Sequence, residues 1–140
     1  MTFVDSNIPM YLIGKEHPRR EDAARVVAQL VRENEPLVSS AEVVQEILHR
    51  YHAIRRREFV EPAIRLLVEL TDGEIFPVTL SDTLRAGELL VSYPAISSRD
   101  AVHLAVMESR GVSRIVSFDR GFDAVTGIER IPDFSAGPSL

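Results

Sequence analysis

The chain has 140 residues, of which 45% are hydrophobic and 26% charged, a balance that predicts one globular domain with its own core. It carries 16 lysine and arginine residues against 21 aspartate and glutamate residues, and this net charge of −5 argues against a general nucleic-acid coat protein. Because cysteine is absent, disulfides, thiolate zinc sites and cysteine nucleophiles are excluded.

The hydrophobic periodicity predicts strands that alternate with helices along the chain. In chain order we predict a strand at 2–4, helices at 8–13 and 19–33, a strand at 36–38, a helix capped by serines 39 and 40, a helix at 60–70, a strand at 75–78, helices from 81 or 82 to 92 and at 99–110, and strands at 115–118 and 128–131. This alternation is typical of a mostly parallel sheet of about five strands with helices on both faces.

A single α/β domain is therefore predicted over residues 1–132, followed by a flexible tail over 133–140. Pro77 favours an edge position for the third strand, because proline cannot donate a hydrogen bond to a neighbouring strand. No apolar run is long enough to span a bilayer, and Asp5 and Asn7 interrupt the segment where a signal peptide would be apolar. We therefore expect a cytoplasmic protein without a membrane partner.

Four acidic residues lie where a parallel α/β fold would bring them together. Asp5 follows the first predicted strand and Asp119 follows the fourth, while Glu46 lies in an amphipathic helix and Asp100 begins an apolar one. Strand ends and helix starts meet at one edge of an open parallel sheet, where such folds place their sites. Clustered carboxylates repel one another unless a hard cation compensates them, so the pattern indicates Mg²⁺ or Mn²⁺ and phosphate chemistry.

Each acid also has an ordinary structural explanation. Asp5 could cap the helix that follows, and Glu46 has Arg50 four positions later for an ion pair on the helix surface. Asp100 in a first helical turn is favoured by the helix macrodipole, and Asp119 could be a turn residue. All four nevertheless reach the same predicted edge by independent routes, which favours a shared site.

Four motifs follow one another along essentially the whole chain. They are Phe3-Val4-Asp5-Ser6-Asn7, then Glu46 after Ser39-Ser40, then Arg99-Asp100-Ala101-Val102-His103-Leu104-Ala105, then Ser117-Phe118-Asp119-Arg120-Gly121-Phe122. In this order the set resembles the PIN-domain ribonucleases, and most of all the VapC toxins of bacterial toxin–antitoxin pairs.

The resemblance implies a metal-dependent endoribonuclease that uses Mg²⁺ or Mn²⁺ and leaves a 5′-phosphate and a 3′-hydroxyl. It implies four metal-site acids, namely Asp5, Glu46, Asp100 and Asp119. It also implies that Asn7 and Ser117 support the site. As partners it implies an RNA substrate, a small VapB-like antitoxin that wraps an apolar helical groove, a homodimer, and a higher assembly with the antitoxin.

Two departures from the family pattern leave the fourth acid open between Asp119 and Asp123. The family often has an acid directly before the final phenylalanine, where Gly121 stands in this chain. Phe118 is also bulkier than the residue that usually precedes the acid. We favour Asp119, because it comes first after the strand and is better fixed.

RNA approaching an acidic site on an acidic protein needs local cations for its phosphates. Arg99 and Arg120 adjoin two of the acids and are the preferred candidates, whereas the arginine run at 55–57 is explained as a solvated helix end. His103 lies one turn after Asp100, and we predict a packed histidine bonded to that acid rather than a metal ligand or proton shuttle.

Other classes also place an acid after the first strand. Haloacid-dehalogenase-like phosphohydrolases and receiver domains both imply a lysine late in the chain, whereas Lys15 is the only lysine and lies early. A catalytically silent PIN-fold binding module is a further alternative. A metal-dependent ribonuclease assay would separate these classes from the nuclease.

Overall fold

The computed structural model describes residues 1–132, and the predicted tail at 133–140 lies outside this range. The strands are β1 Thr2–Val4, β2 Leu37–Ser40, β3 Ile75–Phe76, β4 Arg114–Val116 and β5 Glu129–Ile131. They form one sheet in the order β3-β2-β1-β4-β5, and every neighbouring pair is parallel. The predicted parallel α/β sheet is confirmed, and β3 lies at its edge as Pro77 indicated.

Six α-helices connect the strands of the described range. They are α1 Asn7–Ile13, α2 Arg19–Arg32, α3 Ala41–Ala53, α4 Val60–Thr71, α5 Leu80–Ser92 and α6 Ser98–Ser109. Two short 3₁₀ segments follow α3 and β4, at Arg57–Phe59 and Arg120–Ala124. None of these helices has the length and apolar character that crossing a bilayer requires.

The structure refines the predicted capping residues of α3 and corrects those of α5. Ser40 occupies the N-cap position of α3 but its side chain makes no capping hydrogen bond, whereas Ser39 lies in β2 and its Oγ donates to the Val4 carbonyl at 2.9 Å. Helix α5 begins earlier than predicted, because Thr79 is its N-cap. The Thr79 hydroxyl accepts from the Asp82 amide at 3.1 Å, and the Asp82 carboxylate accepts from the Thr79 amide at 3.0 Å.

Helix α6 is the most buried helix of the fold, as its apolar sequence predicted. Seven of its twelve residues are buried, and it packs against α3 and α5. Because protein interiors are densely packed, such a helix moves little and its side chains are held in fixed rotamers. The residues on its first turns are therefore rigidly mounted.

The sheet topology defines one crevice. From β1 the chain proceeds to β2 and β3 on one side and to β4 and β5 on the other, so the strand order reverses beside β1. Ligands of open α/β sheets bind at such a reversal, outside the carboxyl ends of the strands. Asp5 directly follows β1 and Ser117 directly follows β4, so both residues lie at this crevice.

Candidate active site

The carboxylate of Asp5 is buried and held by hydrogen bonds from three residues. Its Oδ1 accepts from the Ser6 amide at 2.8 Å, and its Oδ2 accepts from the Ser117 hydroxyl at 2.5 Å and the Asn7 side-chain amide at 3.4 Å. These donors come from the segments after β1 and β4. The position of Asp5 is therefore fixed from both sides of the crevice.

Asn7 and Ser117 connect the two segments further. The Asn7 Nδ2 also donates to Ser117 Oγ at 3.2 Å, and Asn7 Oδ1 accepts from the Phe118 amide at 3.3 Å. The Asp119 amide donates to Ser117 Oγ at 3.0 Å. Asn7 thus contacts the Asp5 carboxylate, and Ser117 contacts both the Asp5 carboxylate and the Asp119 backbone.

Glu46 and His103 meet Asp5 inside the crevice. Glu46 projects inward from α3, and its Oε1 is hydrogen-bonded to His103 Nε2 on α6. The same Nε2 lies 3.7 Å from Asp5 Oδ1, and one ligand atom from each of the three residues lies within 4.8 Å of the others. The predicted hydrogen bond between His103 and Asp100 is therefore wrong, since the imidazole bonds the carboxylate on α3.

The buried groups perturb one another. Burial works against a charged His103, but the hydrogen bond with Glu46 and the charge of Asp5 outweigh it, so the pKa of His103 is raised. Burial raises the pKa of Asp5, while His103 and the Ser117 hydroxyl act in the opposite direction. The histidine thus compensates part of the negative charge of the two acids.

Asp100 lies in the first turn of α6, where its amide donates to the Ser97 hydroxyl at 3.1 Å. The carboxyl is buried and in hydrogen-bond contact with Asp119. Burial, the charge of Asp5 and the contact with Asp119 raise the pKa of Asp100 to about 7. Asp119 itself is exposed, with Oδ1 accepting from the Gly121 amide at 2.8 Å.

Asp123 contacts a buried arginine of β5. Arg130 donates through Nε and Nη2 to the Asp123 carboxylate at 2.8 and 3.0 Å. Its Nη1 donates to the carbonyls of Ser117 at 3.1 Å and Pro132 at 2.9 Å. The charge of Asp123 therefore compensates Arg130, which supports Asp119 over Asp123 as the fourth acid of the site.

Two buried side-chain atoms of residues 1–132 have no hydrogen-bond partner, His103 Nδ1 and Ser40 Oγ. His103 belongs to the cluster, and Ser40 ends β2 at the same edge of the sheet. The donor set of the crevice consists of carboxylate oxygens with one imidazole nitrogen. Oxygen-rich sets of this kind suit hard divalent cations such as Mg²⁺ and Mn²⁺.

The arginines beside the acids are accessible. Arg99 is half-buried at the start of α6, and Arg120 is exposed after Asp119. Within residues 1–132 neither forms an ion pair. Their guanidinium groups are therefore free to meet a charged ligand.

Residues 2–128 match the family described as PIN domain. This match covers β1 to β4, ends directly before β5, and includes every acid discussed above. The chain therefore belongs to the PIN-domain family.

Two curated relatives from Mycobacterium tuberculosis define the branch of the family. The chain is 47% identical to Ribonuclease VapC13 over 131 residues, which are 94% of this chain and 99% of the relative. It is 39% identical to Ribonuclease VapC23 over 119 residues, which are 85% and 93% of the two chains. These relatives place the chain among the VapC ribonucleases and support that interpretation over the phosphohydrolase and receiver-domain alternatives.

Solved structures show the same fold. Mycobacterium tuberculosis VapC20, described as a sarcin-ricin loop cleaving toxin, superposes with a TM-score of 0.69 at 24% identity and covers 92% of this chain and 98% of that chain. VapBC2 from Rickettsia felis, bound to a promoter DNA fragment, gives a TM-score of 0.67 at 16% identity, with coverages of 92% and 96%. FitAcB from Neisseria gonorrhoeae gives a TM-score of 0.69 at 16% sequence identity and covers 93% of this chain and 96% of that chain.

Proposed function

We propose that this protein is the toxin of a VapBC-type pair and cleaves RNA as a metal-dependent endoribonuclease. The observation that carries the proposal is the convergence of Asp5, Glu46 and His103, with Asp100 beside them, at the reversal point of the sheet. The similarity to named ribonucleases over nearly the whole chain gives this cluster its reaction class.

The residues that would hold the cation are Asp5, Glu46, Asp100 and Asp119. When bound, Mg²⁺ or Mn²⁺ neutralises charge on the scissile phosphate and lowers the pKa of a coordinated water. Asp5 is already oriented by the Ser6 amide and the Ser117 hydroxyl, and Glu46 is oriented by His103. The chain thus fixes two acids of the site through its own hydrogen bonds, as metal sites commonly do.

Glu46 or Asp100 orients the attacking water. Both side chains are buried at the crevice, within the group of acids that would surround the cation and its coordinated water. Arg99 and Arg120 contact phosphates of the RNA near the cut, because they adjoin Asp100 and Asp119. Cleavage leaves a 5′-phosphate and a 3′-hydroxyl.

We also propose a VapB-like antitoxin as partner, a homodimer, a higher assembly with the antitoxin, and a cytoplasmic location. Two of the structural neighbours are described as toxin–antitoxin complexes or as VapBC. Helix α5 carries exposed apolar side chains on one face, Leu80, Leu84 and Val91. A protein partner would remove this surface from water.

The decisive experiment incubates the purified chain with total RNA and either Mg²⁺ or Mn²⁺, and maps the ends of the products. We expect defined cuts that EDTA prevents, with 5′-phosphates on the downstream fragments. Asp5→Asn and Asp100→Asn, shown to be folded by circular dichroism, should not cut. Cleavage by both variants at the wild-type rate would refute the proposed site.

Toxicity is tested separately in cells. We expect growth to stop when this chain is expressed alone and to resume when the neighbouring open reading frame is co-expressed. The Asp5→Asn variant should permit growth by itself. Equal growth arrest by wild type and variant would show that the carboxylate site does not cause the toxicity.

A further inference from the structure

A pocket of about 650 Å³ opens beside the carboxylate site. It lies between α1, the loop that follows α1, and the end of α3, and Asn7 lines it. The Asn7 amide also contacts Asp5 and Ser117 at 3.4 and 3.2 Å. The pocket is therefore continuous with the site through one side chain.

Aromatic side chains form much of its apolar surface. Tyr11 and Phe59 are partly buried. The Tyr11 ring is held by stacking on His17 at 4.6 Å and by an edge contact with Phe118 at 5.4 Å, and its remaining surface faces the pocket. Tyr51 is held in place, because its hydroxyl donates to the Met10 carbonyl at 3.3 Å and its ring lies 5.6 Å from that of Phe59. Fixed, accessible aromatic rings are the surfaces on which unpaired nucleobases stack.

The charge of the pocket is opposite to that of the whole protein. Lys15, Arg50 and Arg56 line it against a single acid, Glu16, whereas the chain has a net charge of −5. Arg56 pairs with Glu58 at 3.5 Å, so Lys15 and Arg50 carry the local positive charge. Lys15 is the only lysine of the protein. The local excess of positive charge in the pocket therefore favours an anionic ligand. The neighbouring carboxylate site, when no metal is bound, would repel the same ligand.

Arg50 lines the pocket and lies close to Glu46 on α3. It follows Glu46 by one helical turn on α3, and side chains so spaced have Cβ atoms about 5–6 Å apart. Glu46 is directed to His103 rather than to Arg50, so the guanidinium is not used by that acid. A phosphate bound at Arg50 would therefore lie beside the helical turn that carries Glu46.

We propose that this pocket binds the nucleotide next to the scissile phosphate, with its base stacked on Tyr11 and its phosphate bound by Lys15 and Arg50. The inference rests on the proposed ribonuclease function. It adds a binding site for an unpaired nucleotide of the RNA substrate. Stacking accepts any base, so the pocket selects single-stranded over paired RNA rather than one sequence.

The test compares Tyr11→Ala, Lys15→Ala and Arg50→Ala with wild type on a short single-stranded RNA that spans a mapped cut. We expect Tyr11→Ala to raise KM about tenfold with kcat changed less than about twofold, because stacking acts mainly on binding. Anisotropy of the fluorescein-labelled RNA in EDTA should show the same loss of affinity. Lys15→Ala and Arg50→Ala should each lower the slope of log K against log salt by about 0.7.

Conservative and distant substitutions serve as controls. Tyr11→Phe and Lys15→Arg should bind like wild type, because the ring and the charge remain. Arg85→Ala removes an exposed arginine on α5 that pairs with Glu108, and should change neither affinity nor slope. Lys15 and Arg50 are exposed, so their substitutions leave the fold intact even if Tyr11→Ala destabilises it.

The outcomes separate this inference from the function on which it rests. Absence of cleavage by wild type would refute the ribonuclease, whereas the anisotropy series in EDTA still reports on the pocket. Wild-type KM, affinity and salt slope in Lys15→Ala and Arg50→Ala would overturn the nucleotide site while leaving the ribonuclease in place. Unchanged RNA binding combined with lost rescue by the co-expressed antitoxin would assign the pocket to a protein partner and likewise overturn the inference.

Discussion

The two halves of the carboxylate site differ in how their charge is compensated. The inner half, Asp5, Glu46 and His103, is buried and connected by hydrogen bonds from β1, β4, α3 and α6. The outer half, Asp100 and Asp119, brings two acids together with no histidine hydrogen-bonded to either within residues 1–132. The inner half is therefore preorganised by the protein, whereas the outer half is electrostatically unfavourable until a cation arrives.

This difference explains why the acids are not equivalent. A preorganised carboxylate needs no rearrangement when it binds a cation, and rigid placement of charge is a main source of catalytic power. Two carboxylates that repel each other instead increase the affinity for a cation, because the bound cation relieves the repulsion. Both halves should therefore be needed for cleavage, and the outer half should in addition control how strongly stability depends on metal and pH.

The largest effect should come from Asp5, which belongs to the inner half and whose charge also acts on Asp100 of the outer half. Asp5→Asn keeps the size of the side chain but removes its charge, and we expect cleavage to fall by about a thousandfold, equivalent to about 4 kcal/mol of transition-state stabilisation. Single-turnover cleavage at saturating Mn²⁺ measures this loss. A loss of less than about tenfold would mean that the inner half is not needed for cleavage.

His103 should have the second largest effect, because it positions Glu46 but is not one of the four acids proposed to hold the cation. We expect His103→Ala to reduce cleavage and apparent Mn²⁺ affinity by about 10–100-fold, the usual effect of removing a hydrogen-bond partner of a metal ligand. His103→Gln retains an N–H donor and should restore part of both. Equal defects in the two variants would indicate that the histidine acts through packing rather than through its bond to Glu46.

Variants of Asp119 and Asp123 test which of these two residues is the fourth acid of the site. Asp119→Asn should lower cleavage by about tenfold at limiting metal with little change in stability, because the side chain is exposed. Asp123→Asn should leave cleavage nearly unchanged but cost about 1–2 kcal/mol of unfolding free energy, because Arg130 is buried. Cleavage assays and urea unfolding of both variants measure the contrast, and the reverse pattern would make Asp123 the fourth acid.

The smallest effect concerns stability against pH in EDTA. The pKa of Asp100 is raised from 3.8 to about 7, so its contribution to stability is complete below about pH 4 and is lost as the pH rises through 7. The raised pKa of His103 acts in the same direction. We expect the melting temperature of the metal-free protein to fall by about 5 °C between pH 5 and 8.

Mg²⁺ or Mn²⁺ should reverse this fall, because a bound cation compensates the same charges. Asp100→Asn should flatten the pH dependence and raise the melting temperature of the metal-free protein at pH 8. Differential scanning fluorimetry measures both effects. A melting temperature that rises from pH 5 to 8 in EDTA would show that the outer half is not strained.

The sequence alone determined the parallel α/β architecture and predicted which acids lie at one edge of the sheet. Strand and helix alternation predicted the parallel sheet, and the apolar surface of α6 predicted its burial. Parallel strands share a direction, so residues after β1 and β4 must lie at the same edge whatever the details. The element bounds differed by a few residues because local capping, such as that of Thr79 on Asp82, competes with periodicity.

Tertiary structure decided which side chains pair inside the crevice. Helical spacing put His103 on the same face as Asp100, but only the packing of α6 against α3 directs its ring to Glu46. Likewise, nothing in the local sequence connects Asp123 with Arg130, seven residues later in another element. Periodicity reports which face a residue occupies, whereas its partner depends on which other element covers that face, and that is a property of the packed molecule.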